Sequence, residues 1–453
     1  KYQILFTQPS RRKSMKLYRR AQQTVIFAIA LFAVFSCCSV HFALLANDMD
    51  REKDIRDIGG NAFKFTPPVQ EGEKDDDDIL TKYHDVCIVG SGLSGSVIAE
   101  RYATLLQKKV LIIEKRDHIG GNCYDYIDDE TNIRVSKYGA HLFHTNSERV
   151  WEYIHQYSDW TPYEHRVLGL VNGKHVPIPV NIDTVNRLFD LDIQTSEEMS
   201  KWLENEQTHF EHEPSNSEEM AISRVGTRLY NLIFKPYTFK QWAKYPNELG
   251  PEVTARIPVR NDHDDRYFPN DKYQALPKQG YTKLFENMIL SNPLIDVLTN
   301  TDYFEVNKKI NCGKLYYTGP IDSYFSDLGW PKLEYRSLDF ERRVALNTDY
   351  FQPLSVVNHP GLDDDFTRIV EYKHLLNQVS PHTVYFIERS KDDGEPYYPV
   401  PNKENKDLYK KYQEMALKEK GVIFVGRLAN YKYFNMDQAI LNALEMFDKI
   451  EDR

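Results

Sequence analysis

Gly90, Gly92 and Gly95 stand at the spacing G-x-G-x-x-G, with Leu93 and Ser94 between the last two. Glycines so placed allow a tight turn and let backbone amides approach a pyrophosphate closely. Glu114 follows roughly 20 residues on, the offset at which an acid accepts hydrogen bonds from ribose hydroxyls. Glu114-Lys115-Arg116 then runs into His118-Ile119-Gly120-Gly121-Asn122. A second glycine pair so soon after the ribose acid suits a long, bent cofactor lying against backbone, which favours FAD over a simple NAD site. No second G-x-G-x-x-G follows for a separate pyridine-nucleotide domain. No Ser/His/Asp or Cys/His nucleophile pattern stands out. His141 and His144 lack an evident third ligand, so no metal is expected.

These residues need elements to hold them. Residues 85–89 read as a buried parallel strand, a short apolar run with β-branched members. After the glycines comes a helix expected to turn Val97, Ile98, Tyr102, Leu105 and Leu106 inward. A second strand over 110–113 delivers Glu114. Strand, glycine turn, helix and strand make a βαβ unit, hence an α/β, Rossmann-like fold. Near the C-terminus, residues 422–425 read as a strand entering Gly426-Arg427. A helix is expected to begin around Asn435 to Gln438, with Ile440, Leu444 and Phe447 on one face. A helix N-terminus with Arg427 beside it would favour an anionic ligand there.

Further blocks run in order along the chain: Tyr138-Gly139-Ala140-His141-Leu142-Phe143-His144-Thr145, Tyr237-Thr238-Phe239-Lys240-Gln241-Trp242 and Ala255-Arg256-Ile257-Pro258-Val259-Arg260. Asp264-Asp265-Arg266-Tyr267-Phe268, Phe366-Thr367-Arg368-Ile369, Glu395-Pro396-Tyr397-Tyr398-Pro399 and Val425-Gly426-Arg427-Leu428 follow. With the glycine motif, these blocks resemble the UDP-galactopyranose mutase family of the bacterial type, from about residue 84 to the C-terminus. The resemblance implies interconversion of UDP-galactopyranose and UDP-galactofuranose without net redox change. It also implies that N5 of reduced FAD, rather than a side chain, attacks the anomeric carbon.

The resemblance further assigns residues. Arg256 and Arg368 would clamp the diphosphate, while for Arg260 and Arg266 a surface salt-bridge role is equally open. Tyr237, Thr238, Trp242, Tyr267, Tyr398, Tyr433 and Asn435 would meet the substrate. Asn435 stands where the family has an aspartate, which puts rate or sugar preference in question. His141 and His144 fall in the loop that lies against the flavin, with His141 the stronger candidate of the two. The cofactor set is Gly90, Gly92, Leu93, Ser94, Gly95, Glu114, Lys115, Arg116, Gly121, Asn122, His141, Arg427, Met436 and Asp437. An electron donor such as NAD(P)H or a reductase is implied, and a homodimer is the family prior.

The remaining features bound these readings. The chain has 453 residues with 57 basic and 67 acidic side chains, a balance that argues against a protein coating nucleic acid. Five cysteines, two of them adjacent, make no disulfide scaffold. Residues 24–45 are uncharged, preceded by basic and followed by acidic residues. They read as a membrane anchor, or alternatively a signal, after a basic cytosolic tail (1–23), with the catalytic part lumenal; a cytoplasmic protein is the alternative. Residues 46–83 read as a disordered spacer. The FAD-binding unit is expected over 84–165, 285–350 and 415–453. A helical insertion is expected over 183–250, with start signals at Ser196 and Ser217, and an antiparallel sheet in the remainder. Two rival functions share this fold: an oxidoreductase like the flavin amine oxidases, and an inactive membrane-anchored nucleotide-sugar-binding protein.

Overall fold

A strand buried on both faces must be apolar at successive positions, and the residues of Val110–Ile113 are all buried. In the computed structural model, which describes residues 76–452, this strand belongs to a five-stranded parallel sheet. Its spatial order is Ile295–Leu298, Val110–Ile113, Tyr83–Val89, Asn311–Tyr317, Val422–Phe424. The pairing Val86↔Val110 to Val89↔Ile113 brings the ends of the first two strands level, so the glycine turn and Glu114 emerge side by side. Helices Leu93–Leu106 and Met436–Ile450 cover one face, where Val97, Ile98 and Tyr102 meet Ile440, Leu444 and Phe447. Leu105 departs from expectation at 44% exposure, because the buried stripe ends at Ala103 and the last turn projects beyond it. A disulfide between Cys87 and Cys312 joins the strands Tyr83–Val89 and Asn311–Tyr317.

The end of the expected spacer is structured. Asp76–Thr81 is a helix whose Leu80 packs beneath the sheet, and Tyr83 already belongs to a strand. The expected basic tail and apolar run 24–45 lie outside the described residues. Among the described residues, no helix is long and apolar enough to cross a membrane.

A seven-stranded sheet forms the second layer, in the order Tyr398–Pro399, Tyr335–Ala345, Thr383–Lys391, Arg368–Glu371, Val356–Asn358, Val167–Val171, Lys174–Ile178. It is antiparallel apart from the parallel pair Val356–Asn358 and Val167–Val171. The expected middle return of the FAD unit therefore overran. Tyr335–Ala345 pairs with Thr383–Lys391 from Ser337↔Lys391 to Ala345↔Thr383, in this sheet. The sequence of that strand carries charge at Asp339, Glu341, Arg342 and Arg343, which a strand covered on both faces would not tolerate.

Helices Ile182–Phe189, Ser196–Glu206, Ser217–Leu229, Lys235–Trp242 and Glu252–Ala255 fill the insertion, a little beyond the expected limits. Their caps stand one residue ahead of the expected serines. Thr195 accepts from the Glu198 amide while Glu198 reaches back, and Asn216 accepts from the Glu219 amide.

Candidate active site

The glycine turn is built by contact. Gly90 has φ +98°, and a Cβ on Gly95 would lie 2.0 Å from the Gly90 carbonyl oxygen, so helix Leu93–Leu106 starts directly on the turn. A Cβ on Gly121 would lie 2.9 Å from Gly92 Cα, so the two glycine segments of the sequence touch backbone to backbone. Glu114 is 5% exposed; it accepts from the Ser91 amide (2.9 Å), the Ser91 hydroxyl (2.7 Å) and the Arg116 amide (2.9 Å). A cavity of about 920 Å³ opens over this cradle, at the large end of the range for a cofactor site. Gly90, Gly92, Leu93, Ser94, Glu114, Lys115, Arg116, Gly121 and Asn122 line it near the turn; His141, Arg427 and Met436 line it elsewhere.

Two expected cofactor residues stand apart from this wall. Gly95 is spent on the helix–turn contact, and Asp437 turns to accept from the Thr145 hydroxyl at 3.1 Å. Arg427 Nε is buried without a hydrogen-bond partner in the protein. A bare glycine cradle, a ribose-type acid and a buried donor together fit a dinucleotide with an anionic ring system.

A second cavity, of about 400 Å³, lies beside the first. His141, Arg427, Phe434, Asn435 and Met436 line both, so the two meet there. Helix Lys235–Trp242 supplies Tyr237, Thr238 and Trp242 to the second cavity, Arg256 follows helix Glu252–Ala255, and Arg368 opens its strand. Tyr267, Tyr398 and Tyr433 complete the expected set. The Tyr398 and Tyr433 rings stack at 5.2 Å. Arg256 and Arg427 lie 4.3 and 4.5 Å from the Tyr433 ring centre. Burial pushes the Tyr433 phenol up, but Arg256, Arg427 and Arg368 outweigh it and pull it down to about 8. That reversal marks a strongly positive pocket. Arg260 and Arg266 do not line it: buried Arg260 donates to the Asp264 backbone carbonyl, and Arg266 pairs with the Asp264 carboxylate.

The two histidines differ. His141 Nδ1 lies 2.9 Å from the Gly139 carbonyl, which can only accept, so Nδ1 carries the proton and Nε2 is left as an acceptor. Burial, with Arg427 and Arg368 nearby, lowers its pKa to about 4, so the ring is neutral. His144 pairs through Nδ1 with Asp271 and stacks on Phe268 at 3.6 Å; it lines only the second cavity.

Two further residues in the pocket had not been expected. Glu388, 1% exposed, accepts from Arg368 Nε at 2.6 Å through one oxygen and leaves the other unpartnered. It keeps the inward phase of Val384 and Phe386, a signal that alternation alone could have yielded. His165, also buried, has its pKa lowered to about 3 by burial, with Arg368 and His144 adding to the effect. Among the described residues, no group of three or more His, Cys, Asp or Glu could hold a metal ion.

A family model for UDP-galactopyranose mutase matches residues 232–433, and one for an NAD(P)-binding Rossmann-like domain matches 88–157. A probable UDP-galactopyranose mutase of Klebsiella pneumoniae is 38% identical over 369 residues, spanning 81% of this chain and 94% of its own. A dTDP-fucopyranose mutase of Escherichia coli is 36% identical, over 80% and 96%. Among solved structures, a reduced UDP-galactopyranose mutase superposes with a TM-score of 0.66 at 18% identity, covering 82% of this chain and 96% of that one. A putrescine oxidase variant does so with 0.52 at 13%, covering 82% and 99%. At such identities the structural likeness speaks for fold alone.

Proposed function

The chain belongs to the UDP-galactopyranose mutase family, and we propose that its two joined cavities interconvert UDP-galactopyranose and UDP-galactofuranose, with FAD in the larger and the nucleotide sugar in the smaller. The meeting of the cavities at His141, Arg427, Phe434, Asn435 and Met436 carries this reading. A sugar whose diphosphate lies among Arg256 and Arg368 has its anomeric carbon directed at that junction. Reduced FAD supplies the electron-rich nitrogen that makes a side-chain nucleophile unnecessary.

The chain's own residues do the rest. The glycine turn and the start of helix Leu93–Leu106 receive the pyrophosphate, and Glu114 receives ribose hydroxyls. Arg427 and the N-terminus of helix Met436–Ile450 favour negative charge at the junction. Arg256 and Arg368 hold the diphosphate whether or not the sugar is attached, with Glu388 fixing the Arg368 fork. Tyr237, Thr238 and Trp242 wall the base, and Tyr267, Tyr398 and Tyr433 offer hydroxyls to phosphate and sugar. Neutral His141 holds its Nδ1 proton on Gly139 and presents Nε2 as an acceptor. Asn435 offers an amide to a sugar hydroxyl. An amine oxidase reading would leave the guanidinium groups of Arg256 and Arg427 gathered in the pocket without an anion, Arg368 alone having the Glu388 carboxylate.

Because the isomerisation has no net redox change, NAD(P)H or a reductase serves only to bring the enzyme to its active state. A membrane anchor over residues 24–45, with a lumenal catalytic part, is supported by sequence alone, and a homodimer by family likeness alone.

The deciding experiment incubates dithionite-reduced, FAD-loaded protein with UDP-galactofuranose and follows UDP-galactopyranose by chromatography. Absence of conversion with flavin bound overturns the proposal. dTDP-fucofuranose in a parallel reaction reads base and sugar preference.

A further inference from the structure

Lys240 stands on the helix that walls the base side of the second cavity, yet its side chain leaves that cavity. Its Nζ lies within hydrogen-bonding distance of four backbone carbonyls, those of His359, Gly361 (2.6 Å), Asp364 (3.2 Å) and Phe366 (2.7 Å), so its three N–H donors are shared among four acceptors. Those carbonyls all belong to the loop of one hairpin. Its strands are Val356–Asn358 and Arg368–Glu371, paired Asn358↔Arg368, and the His359 amide donates to the Thr367 carbonyl at 2.8 Å. Four carbonyls converging on one cation reproduce the coordination of a monovalent-ion site, with the ion supplied by a side chain.

The two sides of this contact are the two walls of the substrate cavity. Helix Lys235–Trp242 brings Tyr237, Thr238 and Trp242, and the hairpin brings Asn358 and Arg368. We propose that Lys240 is a positioning residue, an internal ammonium on which the loop 359–366 is wound, which sets Arg368 at its working distance from the base-binding helix. This rests on the proposed nucleotide-sugar site. Burial lowers the Lys240 pKa to about 8 while Asp364, Asp365 and Asp363 oppose it, so the group stays largely cationic at neutral pH. Asp364 and Asp365 are themselves engaged by His359 and Arg389.

An ammonium site can be emptied and refilled. Lys240→Ala removes the chain beyond Cβ, and n-propylammonium has the atoms to replace it. Lys240→Met fills the same slot without a donor and guards against a variant that merely misfolds; flavin content and circular dichroism are matched before comparison. Hydrogen exchange of amides 359–367 is expected to quicken in both variants, with UDP affinity falling roughly 10-fold or more, the scale of a misplaced clamp. n-Propylammonium is expected to restore slow exchange and UDP affinity in the alanine variant, and tetramethylammonium, which has no N–H, is not. Unchanged UDP affinity in Lys240→Met, or a loss in Lys240→Ala that n-propylammonium does not reverse, overturns the proposal. If the unsubstituted chain fails to bind UDP, it is the functional reading that falls, and the exchange data decide the ammonium site by themselves.

Discussion

Arg368 is partly buried, has a carboxylate partner and stands in the positive pocket. As a clamp on a departing nucleotide its truncation to alanine is expected to lower turnover by ~100-fold or more, the scale of one lost charge-stabilising donor. Near-normal turnover of the reduced variant would remove it from the clamp. Burial also governs the histidines. His165 and His141 have folded-state pKa values of about 3 and about 4, below the ordinary value of 6.5. As pH falls below 6.5 the unfolded chain takes up these protons first, so stability is full above that value and is lost as pH approaches the folded values. Urea midpoints are therefore expected to fall from pH 6.5 to 4, and His165→Asn to flatten that fall; an unaltered slope in the variant refutes the linkage. Arg256, Arg368, Tyr237, Tyr267 and Tyr398 were legible because each stands inside a distinctive block. For Glu388 only the inward phase was readable, and neither its role nor that of His165 could be, since both depend on the distant arginine that the fold brings alongside.

At the level of elements, the glycine cradle separates binding from shape. Gly121→Ala would place a Cβ 2.9 Å from Gly92 Cα at a residue with φ +56°, so clash and strain act together. Flavin content after purification is expected to drop sharply, and full occupancy would show that the segments can part without harm. Glu114→Ala is expected to weaken FAD retention with UDP affinity little changed; an equal loss of both would make Glu114 a structural acid. The βαβ unit and the C-terminal strand and helix were readable because buried parallel strands and capped helices carry strong local patterns. The expected FAD-binding range 285–350 takes in Tyr335–Ala345, whose charged residues belong instead to the seven-stranded sheet. The start signals at Ser196 and Ser217 fall on the first residues of their helices, and the capping side chains, Thr195 and Asn216, stand one residue earlier.

On the scale of the whole molecule, two sheets and a helical insertion are arranged so that one set of side chains closes the end of both cavities. Removing the flavin is expected to weaken UDP-galactose more than UDP, because the proposed site puts the sugar at the junction and the nucleotide away from it. Equal weakening, measured by calorimetry on apo and FAD-loaded protein, would mean that the cavities are not coupled through their shared wall. That arrangement of cavities was beyond sequence reading, because its members come from segments hundreds of residues apart, and no periodicity records such a meeting.

A shared partition also constrains how such a chain can diversify. Tyr237 and Thr238 line only the smaller cavity, so under the proposed placement of the base its pairing with uracil or thymine can drift there while the reactive end is left untouched. Met436 and Asn435 face both compartments, and no exchange at either can retune the hexose without also retuning the electron-rich ring beside it. New nucleobases are thus open to stepwise change, whereas a new hexose demands two adjustments at once.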